Sequence, residues 1–292
     1  MHGVGDSTAA ITIVNALPTG IGSAVGIDLP VRAEVELHPA GSSGKWSVEV
    51  DEAARTPLVV AALTEALRRF ASGSSGTAEL TVRSQVPAAR GLKSSSAVSS
   101  AVVLAVARAT DTDVSLVEVA RLAAGVSISA GVSATGAFDD ALAGLTWGIV
   151  VTDNRRRELL TKIPVGTDLG VALFVPSATH ASSREWAPAF ATEATAGRVA
   201  VEAALRGDWV VAMRENTQLV ERVMRYEYGP LRSELERRGA LASGVSGMGP
   251  ALAAVAPRER LSELLNSDPD FRAERRAVAF STTATGARRE VP

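Results

Sequence analysis

A short loop that leads into an apolar segment carries the most informative chemistry of this sequence. It reads PAARGLKSSSAVSSA over residues 87–101 and contains Gly91, Lys93 and the consecutive serines Ser94, Ser95 and Ser96. A strand, a glycine-containing loop and a helix start present unpaired backbone N–H groups to an anion, and the glycine allows close approach. This pattern predicts a phosphate site. The alternative is that the serines only cap a buried helix, which serine does well.

Two further glycine-containing stretches lie far from this loop in the chain. One reads NALPTGIGSAVGIDLP over residues 15–30, and the other reads SGVSGMGPALAAV over residues 243–255. Either one alone is better explained by an ordinary turn. None of the glycine stretches completes the GxxxxGK[ST] phosphate loop, because the loop at residues 87–101 lacks the upstream glycine.

A pair of adjacent carboxylates, Asp139 and Asp140, stands in the segment GAFDDA between the second and third glycine stretches. Phosphoryl transfer depends mostly on positioning and charge stabilisation, so one carboxylate beside an acceptor hydroxyl is sufficient chemistry. The alternative is that the two acids occupy the cap and first turn of a short helix, where the helix dipole favours them.

Strands and a helix in the first third of the chain must position these groups. Residues 31–37 and 46–50 alternate apolar and polar side chains, which predicts an antiparallel hairpin with one solvated face. Thr56 followed by Pro57 predicts the start of a helix that ends near residue 71. A further alternating strand is predicted over residues 78–86.

The middle of the chain is more helical. Residues 94–110 contain no glycine or proline and are apolar nearly all round, which predicts a buried helix. Ser115 and Glu118 form a capping box for the next helix. Residues 130–144 are too rich in glycine for a regular element, and a strand follows over residues 145–153.

The second half changes character and predicts a second α+β domain. We expect strands at 169–175 and 277–281 and helices at 183–206, 208–226, 230–238 and 257–265. The domain boundary is predicted between Asn154 and Pro164, which divides the chain into residues 1–156 and 157–292.

Composition excludes several classes of function. The chain has 292 residues, a net charge of −2 with both signs interspersed, and no cysteine. A basic face for nucleic acid, a disulfide and a thiolate site are therefore not expected. No signal peptide is recognisable, and no segment approaches the roughly 18 apolar residues of a membrane span. These features predict a cytoplasmic protein with no membrane or nucleic-acid partner, either a monomer or a homodimer.

The three glycine stretches resemble, in order and spacing, the three motifs of the GHMP kinase superfamily, and the resemblance covers essentially the whole chain. Within it, GLKSSSA, SATGAFDDALAG, WGIVVTDN and TATGAR resemble the archaeal-type shikimate kinases. Other shikimate kinases use a P-loop and a different fold, so the missing P-loop agrees with this branch. The fold implied is α+β with two domains, an N-terminal half like ribosomal protein S5 domain 2 and a ferredoxin-like C-terminal half.

The resemblance implies an ATP-binding loop and two catalytic residues, Asp139 and Lys93. Ser95 matches the serine that coordinates Mg2+, Asp139 matches the catalytic base or orienter, and Lys93 is a further phosphate contact or else a solvated lysine. Many members carry a metal-binding glutamate upstream of the aspartate, but no acid lies between Glu118 and Asp139 here, so Asp140 is the hypothesised metal ligand. The residues expected to bind ATP are Pro87, Ala88, Ala89, Arg90, Gly91, Leu92, Lys93, Ser94, Ser95, Ser96 and Ala97.

The acceptor side is implied by the first and third motifs. A carboxylate with three hydroxyls, as in shikimate, needs a basic side chain and several short polar groups. The residues expected to bind substrate are Asn15, Thr19, Ser23, Asp28, Asp139, Gly247 and Gly249. The candidates for the carboxylate clamp are Arg288, Arg184, Arg90 and Lys93, and the sequence does not choose among them.

The function implied is ATP-dependent phosphorylation of shikimate to shikimate 3-phosphate, with Mg2+ as cofactor. Two alternatives stay open. One is a GHMP kinase for another small alcohol such as homoserine or mevalonate. The other is a non-catalytic regulator that binds a ligand, which the presence of both Ser95 and Asp139 disfavours.

Overall fold

Two β-sheets with helices packed on them make up the computed structural model, which describes residues 1–42, 44–179 and 183–281. The elements in the first part of the chain are β1 His2–Val14, β2 Ile21–Gly41, β3 Trp46–Val50, α1 Pro57–Phe70, β4 Ser75–Ser84, α2 Ser94–Ala109, α3 Leu116–Ser129, α4 Phe138–Ala143, β5 Ile149–Asp153 and β6 Glu158–Ile163. Those in the second part are β7 Leu169–Val175, α5 Ser183–Ala191, α6 Ala194–Leu205, α7 Trp209–Met224, α8 Gly229–Arg237, β8 Ala242–Val245, β9 Leu252–Pro257, α9 Leu261–Leu265 and β10 Glu274–Ala279.

The long strand β2 organises the first sheet, whose order is β3-β4-β2-β5-β6 with β1 also paired to β2. One edge of β2 carries β1, and the other edge is shared by β4 along its second part and by β5 along its first part. This arrangement brings the turn between β1 and β2 close to the carboxyl end of β5. The first glycine stretch occupies that turn.

The predicted antiparallel hairpin of residues 31–37 and 46–50 is wrong. Both segments are strands, but β3 pairs in parallel with β4, from Trp46 opposite Gly76 to Val50 opposite Leu80. The alternation of apolar and polar side chains correctly predicts a strand, but it carries no information about which other strand pairs with it. Here α1 crosses between β3 and β4, and β4 takes the edge of β2 that the hairpin would have needed.

Helix α2 lies against β1 at unusually short range because two glycines of that strand face it. A Cβ on Gly5 would overlap the carbonyl oxygen of Ala101, and one on Gly3 would overlap that of Ala105. The helix is buried along most of its length, as its apolar circumference predicts. Its N-terminus is thereby fixed relative to the first sheet.

The capping signals at two other helices are confirmed. The Thr56 side chain accepts from Val59 N at the start of α1, and Ser115 and Glu118 cap α3 reciprocally. The expectation of no regular element over residues 130–144 is wrong, because α4 forms there. Its six residues are all buried, so tertiary packing stabilises a helix whose short, glycine-rich sequence gives little local signal.

The second sheet has the order β10-β7-β9-β8 and is antiparallel throughout. The predicted helix over residues 183–206 is two helices, α5 and α6, and the last strand begins earlier than predicted. The larger apolar core contains residues of both sheets, such as Ile11 and Val255. A smaller core beneath the second sheet includes Phe174 and Phe190.

The division of the chain into two domains remains a proposal. The predicted boundary after residue 156 falls between β5 and β6, which pair with each other in the first sheet. We therefore propose that the N-terminal domain extends through β6. Among the described residues, no helix is long and apolar enough to cross a membrane.

Candidate active site

The three glycine stretches and the two aspartates meet in one cleft of about 220 Å³. The end of α3 and the turn before α4 close the cleft on one side. The polar groups that line it include Thr12, Asn15, Lys93, Ser94, Ser95, Ser96, Ser127, Ser133, Thr135, Asp139, Asp140 and Ser183. Segments as far apart in sequence as residues 12 and 249 thus form one small polar site.

Side-chain to backbone hydrogen bonds fix the three loops to one another. Ser246 Oγ donates to Gly91 O at 2.7 Å, and Gly247 N donates to Thr12 Oγ1 at 2.8 Å. Asn15 Nδ2 donates to Gly247 O at 3.1 Å. Gly91 has a φ of +85°, and a Cβ there would overlap the Ser246 carbonyl oxygen. The close approach of the second and third loops therefore requires glycine at this position.

The N-terminus of α2 opens into this cleft without a side-chain cap. The cap position is Lys93, in a left-handed conformation with φ of 65°, and among the described residues no side chain accepts a hydrogen bond there. The alternative that the serines cap the helix is therefore not supported. The first N–H groups of α2 lack helical partners and carry the positive end of the helix dipole, which is an arrangement that attracts an anion.

Lys93 also forms an ion pair with Asp140, with Nζ 3.2 Å from Oδ2. The two side chains are only 14% and 9% exposed, so Lys93 is not a solvated surface lysine. Burial, with the neighbouring charge of Asp139, raises the pKa of Asp140 to about 7, although Lys93 opposes the shift. The other oxygen, Oδ1, is buried and has no hydrogen-bond partner among the described residues.

Asp139 lies next to this pair and is also buried. Burial raises its pKa, while the charge of Lys93 and a hydrogen bond from Asn154 act in the opposite direction. Asn154 Nδ2 donates to Asp139 Oδ1 at 2.7 Å. On the other side, a Cβ on Gly22 would overlap Asp139 Oδ2, so this glycine of the first stretch makes room for the carboxylate.

The sequence analysis missed Asn154 and Ser246, which bond to residues of the site, and it also missed the lining residues Thr12, Ser127, Ser133, Thr135 and Ser183. Asn154 follows the apolar strand β5 directly, and a polar residue at the end of such a strand is a usable signal. Ser246 stands between two glycines of the third stretch, and nothing in the sequence distinguishes it from a turn serine. Ser127, from the end of α3, lies in the cleft in the segment where the expected metal-binding glutamate is missing.

Only part of the predicted ATP-binding loop lines the cleft. Ala89, Gly91 and the run from Lys93 to Ser96 do so. Leu92 and Ala97 are about 1% exposed and belong to the core, where their apolar side chains are buried. Pro87, Ala88 and Arg90 lie outside the cleft.

The predicted acceptor residues divide in the same way. Asn15, Asp139, Gly247 and Gly249 line the cleft, but Thr19, Ser23 and Asp28 do not. Thr19 Oγ1 accepts from Ile21 N within its own turn. Ser23 is fully buried within β2, and Asp28 is exposed farther along the same strand. Their positions on this strand place both residues outside the site.

Most of the side chains that were candidates to bind the substrate carboxylate already bond to other groups of the protein. Arg90 Nη1 donates to the carbonyls of Pro176 at 2.6 Å and Ala178 at 2.7 Å. Arg184 Nη2 donates to Ile128 O at 2.7 Å, and Lys93 is paired with Asp140. Arg288 and the segment TATGAR lie outside the described residues.

Comparison with known proteins agrees with the resemblance found in the motifs. Residues 57–147 match the family model described as GHMP kinases N terminal domain. The chain is 36% identical over 265 residues to a shikimate kinase of Pyrococcus furiosus, which covers 90% of this chain and 95% of that one. It is also 36% identical over 253 residues to a shikimate kinase of Methanosarcina acetivorans, covering 87% and 84% of the two chains.

Solved structures show the same fold at much lower identity. Homoserine kinase from Cytophaga hutchinsonii superposes with a TM-score of 0.72 at 15% identity, over 96% of both chains. Methanococcus jannaschii mevalonate kinase gives 0.72 at 14% identity, over 96% of this chain and 99% of that chain. Three findings agree: the motifs, the matched family model and the relatives that are 36% identical over most of their length. The chain therefore belongs to the archaeal-type shikimate kinases of the GHMP kinase superfamily.

Proposed function

We propose that this protein transfers the γ-phosphoryl group of ATP to the 3-hydroxyl of shikimate. The observation that carries the proposal is that the uncapped N-terminus of α2 and the buried carboxylate of Asp139 face the same cleft. One feature attracts phosphate, and the other receives or orients a hydroxyl proton. The sequence identity to shikimate kinases supports the choice of the acceptor.

The phosphate side of the site is the start of α2. The N–H groups and hydroxyls of Ser94, Ser95 and Ser96 hold phosphate oxygens at the positive end of the helix dipole. Lys93 adds a compact positive charge at the same point, where charge on the transferring group must be stabilised. Gly91 has no side chain, which allows the phosphates to approach the backbone of the loop.

The residues present fit a Mg2+ ion. Asp140 Oδ1 is a buried carboxylate oxygen without a hydrogen-bond partner among the described residues, and the Ser95 hydroxyl lines the same cleft. Oxygen ligands of this kind, completed by phosphates and water, are the set that Mg2+ prefers. The described residues contain no group of three or more histidine, cysteine, aspartate or glutamate side chains that could hold a metal ion, so phosphates and water would complete the coordination. When bound, the ion neutralises negative charge on the phosphates.

The acceptor side consists of Asp139 with Asn15 and the backbone around Gly247 and Gly249. Asp139 accepts or orients the proton of the reacting hydroxyl, and its raised pKa favours proton acceptance. Asn15 lines the same cleft, where its backbone N–H donates to Asn216 Oδ1 and its side-chain amide bonds Gly247 O and Leu17 N. We further propose that the protein acts in the cytoplasm as a monomer or homodimer.

A coupled assay of ADP release with Mg-ATP tests the proposal when shikimate, homoserine, mevalonate and galactose are offered separately. We expect turnover with shikimate and none above background with the other three. Turnover with another alcohol instead would refute the substrate while keeping the phosphate site. ATP binding without turnover on any of the four would favour a non-catalytic regulator.

A further inference from the structure

Asp139 depends on a residue outside its own helix for its orientation. It lies in the first turn of α4, a six-residue helix whose cap residue, Ala137, has a φ of 52°. Among the described residues, no side chain caps this helix from within its own turn. The N–H of Asp139 is therefore one of the donors that a helix start leaves without a helical partner.

Asn154, the residue that follows β5, satisfies this N–H and the carboxylate together. Asp139 N donates to Asn154 Oδ1 at 3.1 Å, while Asn154 Nδ2 donates to Asp139 Oδ1 at 2.7 Å. Both bonds are made by the one side-chain amide of Asn154, which lies 15 residues beyond Asp139 in sequence. It fixes both the backbone and the side chain of Asp139.

The orientation of the Asn154 amide is itself determined. Thr152 Oγ1 donates to Asn154 Oδ1 at 2.7 Å, so this oxygen receives both the Thr152 hydroxyl and the Asp139 N–H. A flipped amide would place its N–H2 group against the N–H of Asp139 and its oxygen against the carboxylate. Both contacts would be repulsive, so the amide donates to Asp139 Oδ1.

Asn154 is also tied to the first glycine stretch. Its backbone N–H donates to Gly20 O at 2.9 Å, and its side chain is only 1% exposed. Asp139 Oδ2 faces Gly22 of the same stretch, where a Cβ would overlap it. Oδ1 thus accepts from the amide, and Oδ2, to which no side chain among the described residues donates, is the oxygen available to a ligand in the cleft.

We propose that Asn154 is a positioning residue that holds the Asp139 carboxylate with Oδ2 directed at the acceptor hydroxyl. Asn154 does not touch substrate, and it acts only through Asp139. The inference rests on the proposed phosphoryl transfer. It adds a residue that sets the turnover rate without contributing to the binding of ATP or of the acceptor.

The test compares kcat and both KM values of Asn154→Ala and Asn154→Asp with those of the wild-type protein. Asp at this position keeps the acceptor for the Asp139 N–H and the Thr152 hydroxyl but lacks the donor to Oδ1. Misplacement of a reacting group by about 1 Å costs on the order of 100-fold in rate, so we expect both variants to lose about 100-fold in kcat. The KM values for ATP and acceptor should change by less than about threefold.

A merely structural role gives a different result. In that case folded Asn154→Asp would turn over as fast as wild type, or the loss would appear in KM, and either outcome overturns the proposal. Thr152→Val provides a second test if the Asn154 variants do not fold, because it leaves the amide in place and removes only the hydroxyl that orients it. We expect a smaller loss of kcat in the same direction, and an unchanged kcat would count against the proposal.

Thr146→Val is the matched control. Thr146 is a buried threonine whose hydroxyl, within the described part of the chain, bonds only to Leu142 O near the end of α4, so the kcat of this variant should equal that of wild type. Failure of the proposed function is separable from failure of this inference. If the wild-type protein does not phosphorylate shikimate, the proposed substrate is refuted. The role of Asn154 is then tested with the alcohol that the protein does accept, by comparing the kcat of Asn154→Ala with that of wild type.

Discussion

The ion pair between Lys93 and Asp140 leads to a prediction about stability that depends on pH. Both side chains are at most 14% exposed, and Asp139 lies beside them. In Lys93→Met, two neighbouring carboxylates stay buried, and the described residues that line the cleft include no other cationic side chain to compensate them. Removal of one partner of a buried pair costs roughly 3–5 kcal/mol, against about 0–1 kcal/mol for an exposed pair. Protonation of a carboxylate that has lost its cation limits this cost, so at pH 8 we expect Lys93→Met to lose about 1–3 kcal/mol of unfolding free energy.

The sign of the pH effect follows from the raised pKa of Asp140. Its folded value of about 7 lies above the ordinary 3.8, so ionisation of this carboxyl destabilises the fold progressively between about pH 4 and pH 7. This shift corresponds to roughly 4 kcal/mol at the alkaline limit. At pH 5.5 Asp140 is largely protonated, so Lys93 then faces the Asp139 carboxylate alone. The loss in Lys93→Met should therefore be smaller at that pH than at pH 8.

Urea denaturation at pH 5.5 and pH 8, followed by circular dichroism, measures both values for wild type and Lys93→Met. The double variant Lys93→Met with Asp140→Asn should recover most of the loss at pH 8, because it removes both charges. Arg260→Met, which breaks the exposed Arg260–Glu263 pair, is the matched control and should cost no more than about 1 kcal/mol at either pH. A loss in Lys93→Met that is equal at the two pH values would refute the reasoning.

Three further substitutions test the geometry of the cleft. Gly22→Ala places a methyl group against Asp139 Oδ2, so we expect kcat to fall with little change in the KM for ATP, as steady-state kinetics would show. Gly91→Ala puts a side chain at a φ of +85° against the Ser246 carbonyl, so thermal or urea denaturation should show a loss of about 1–3 kcal/mol and ATP titration a weaker affinity. Asp28→Asn should leave kcat and both KM values within about twofold of wild type, because Asp28 is exposed on β2 and does not line the cleft. A large rise in the KM for shikimate would instead indicate that Asp28 binds the acceptor.

Local signals were sufficient to predict several elements. Thr56 with Pro57 and Ser115 with Glu118 are caps within a few residues of the helices they begin, and α2 is apolar on every face, so each prediction needed only neighbouring residues. The pairing of β3 was not predictable in this way. Strand alternation identifies a strand and its buried face, but the choice between β2 and β4 as partner depends on the crossover through α1.

The motifs predicted residues that the fold does bring together in one cleft, among them Lys93, Ser95 and Asp139, and the roles of these residues stay predictions. Ser23 and Asp28 stand in the same stretch as Asn15, and the path of β2 separates them from the cleft, while Thr19 accepts from Ile21 N in the turn before β2. Helix α4 escaped prediction because its stability comes from burial and from Asn154, which lies in a different element. The ion pair between Lys93 and Asp140 likewise joins residues 47 positions apart, which no local pattern indicates.

The most direct measurement is the kcat of Asp139→Asn with Mg-ATP and shikimate, together with its affinity for ATP. Asparagine has the shape of aspartate and can still accept from Asn154, so the change removes the negative charge and the basicity while leaving the phosphate side intact. We predict a loss in kcat on the order of 10²–10⁴-fold, with an ATP affinity within about threefold of wild type. A kcat close to that of wild type would contradict the assignment of Asp139 as the group that acts on the acceptor hydroxyl.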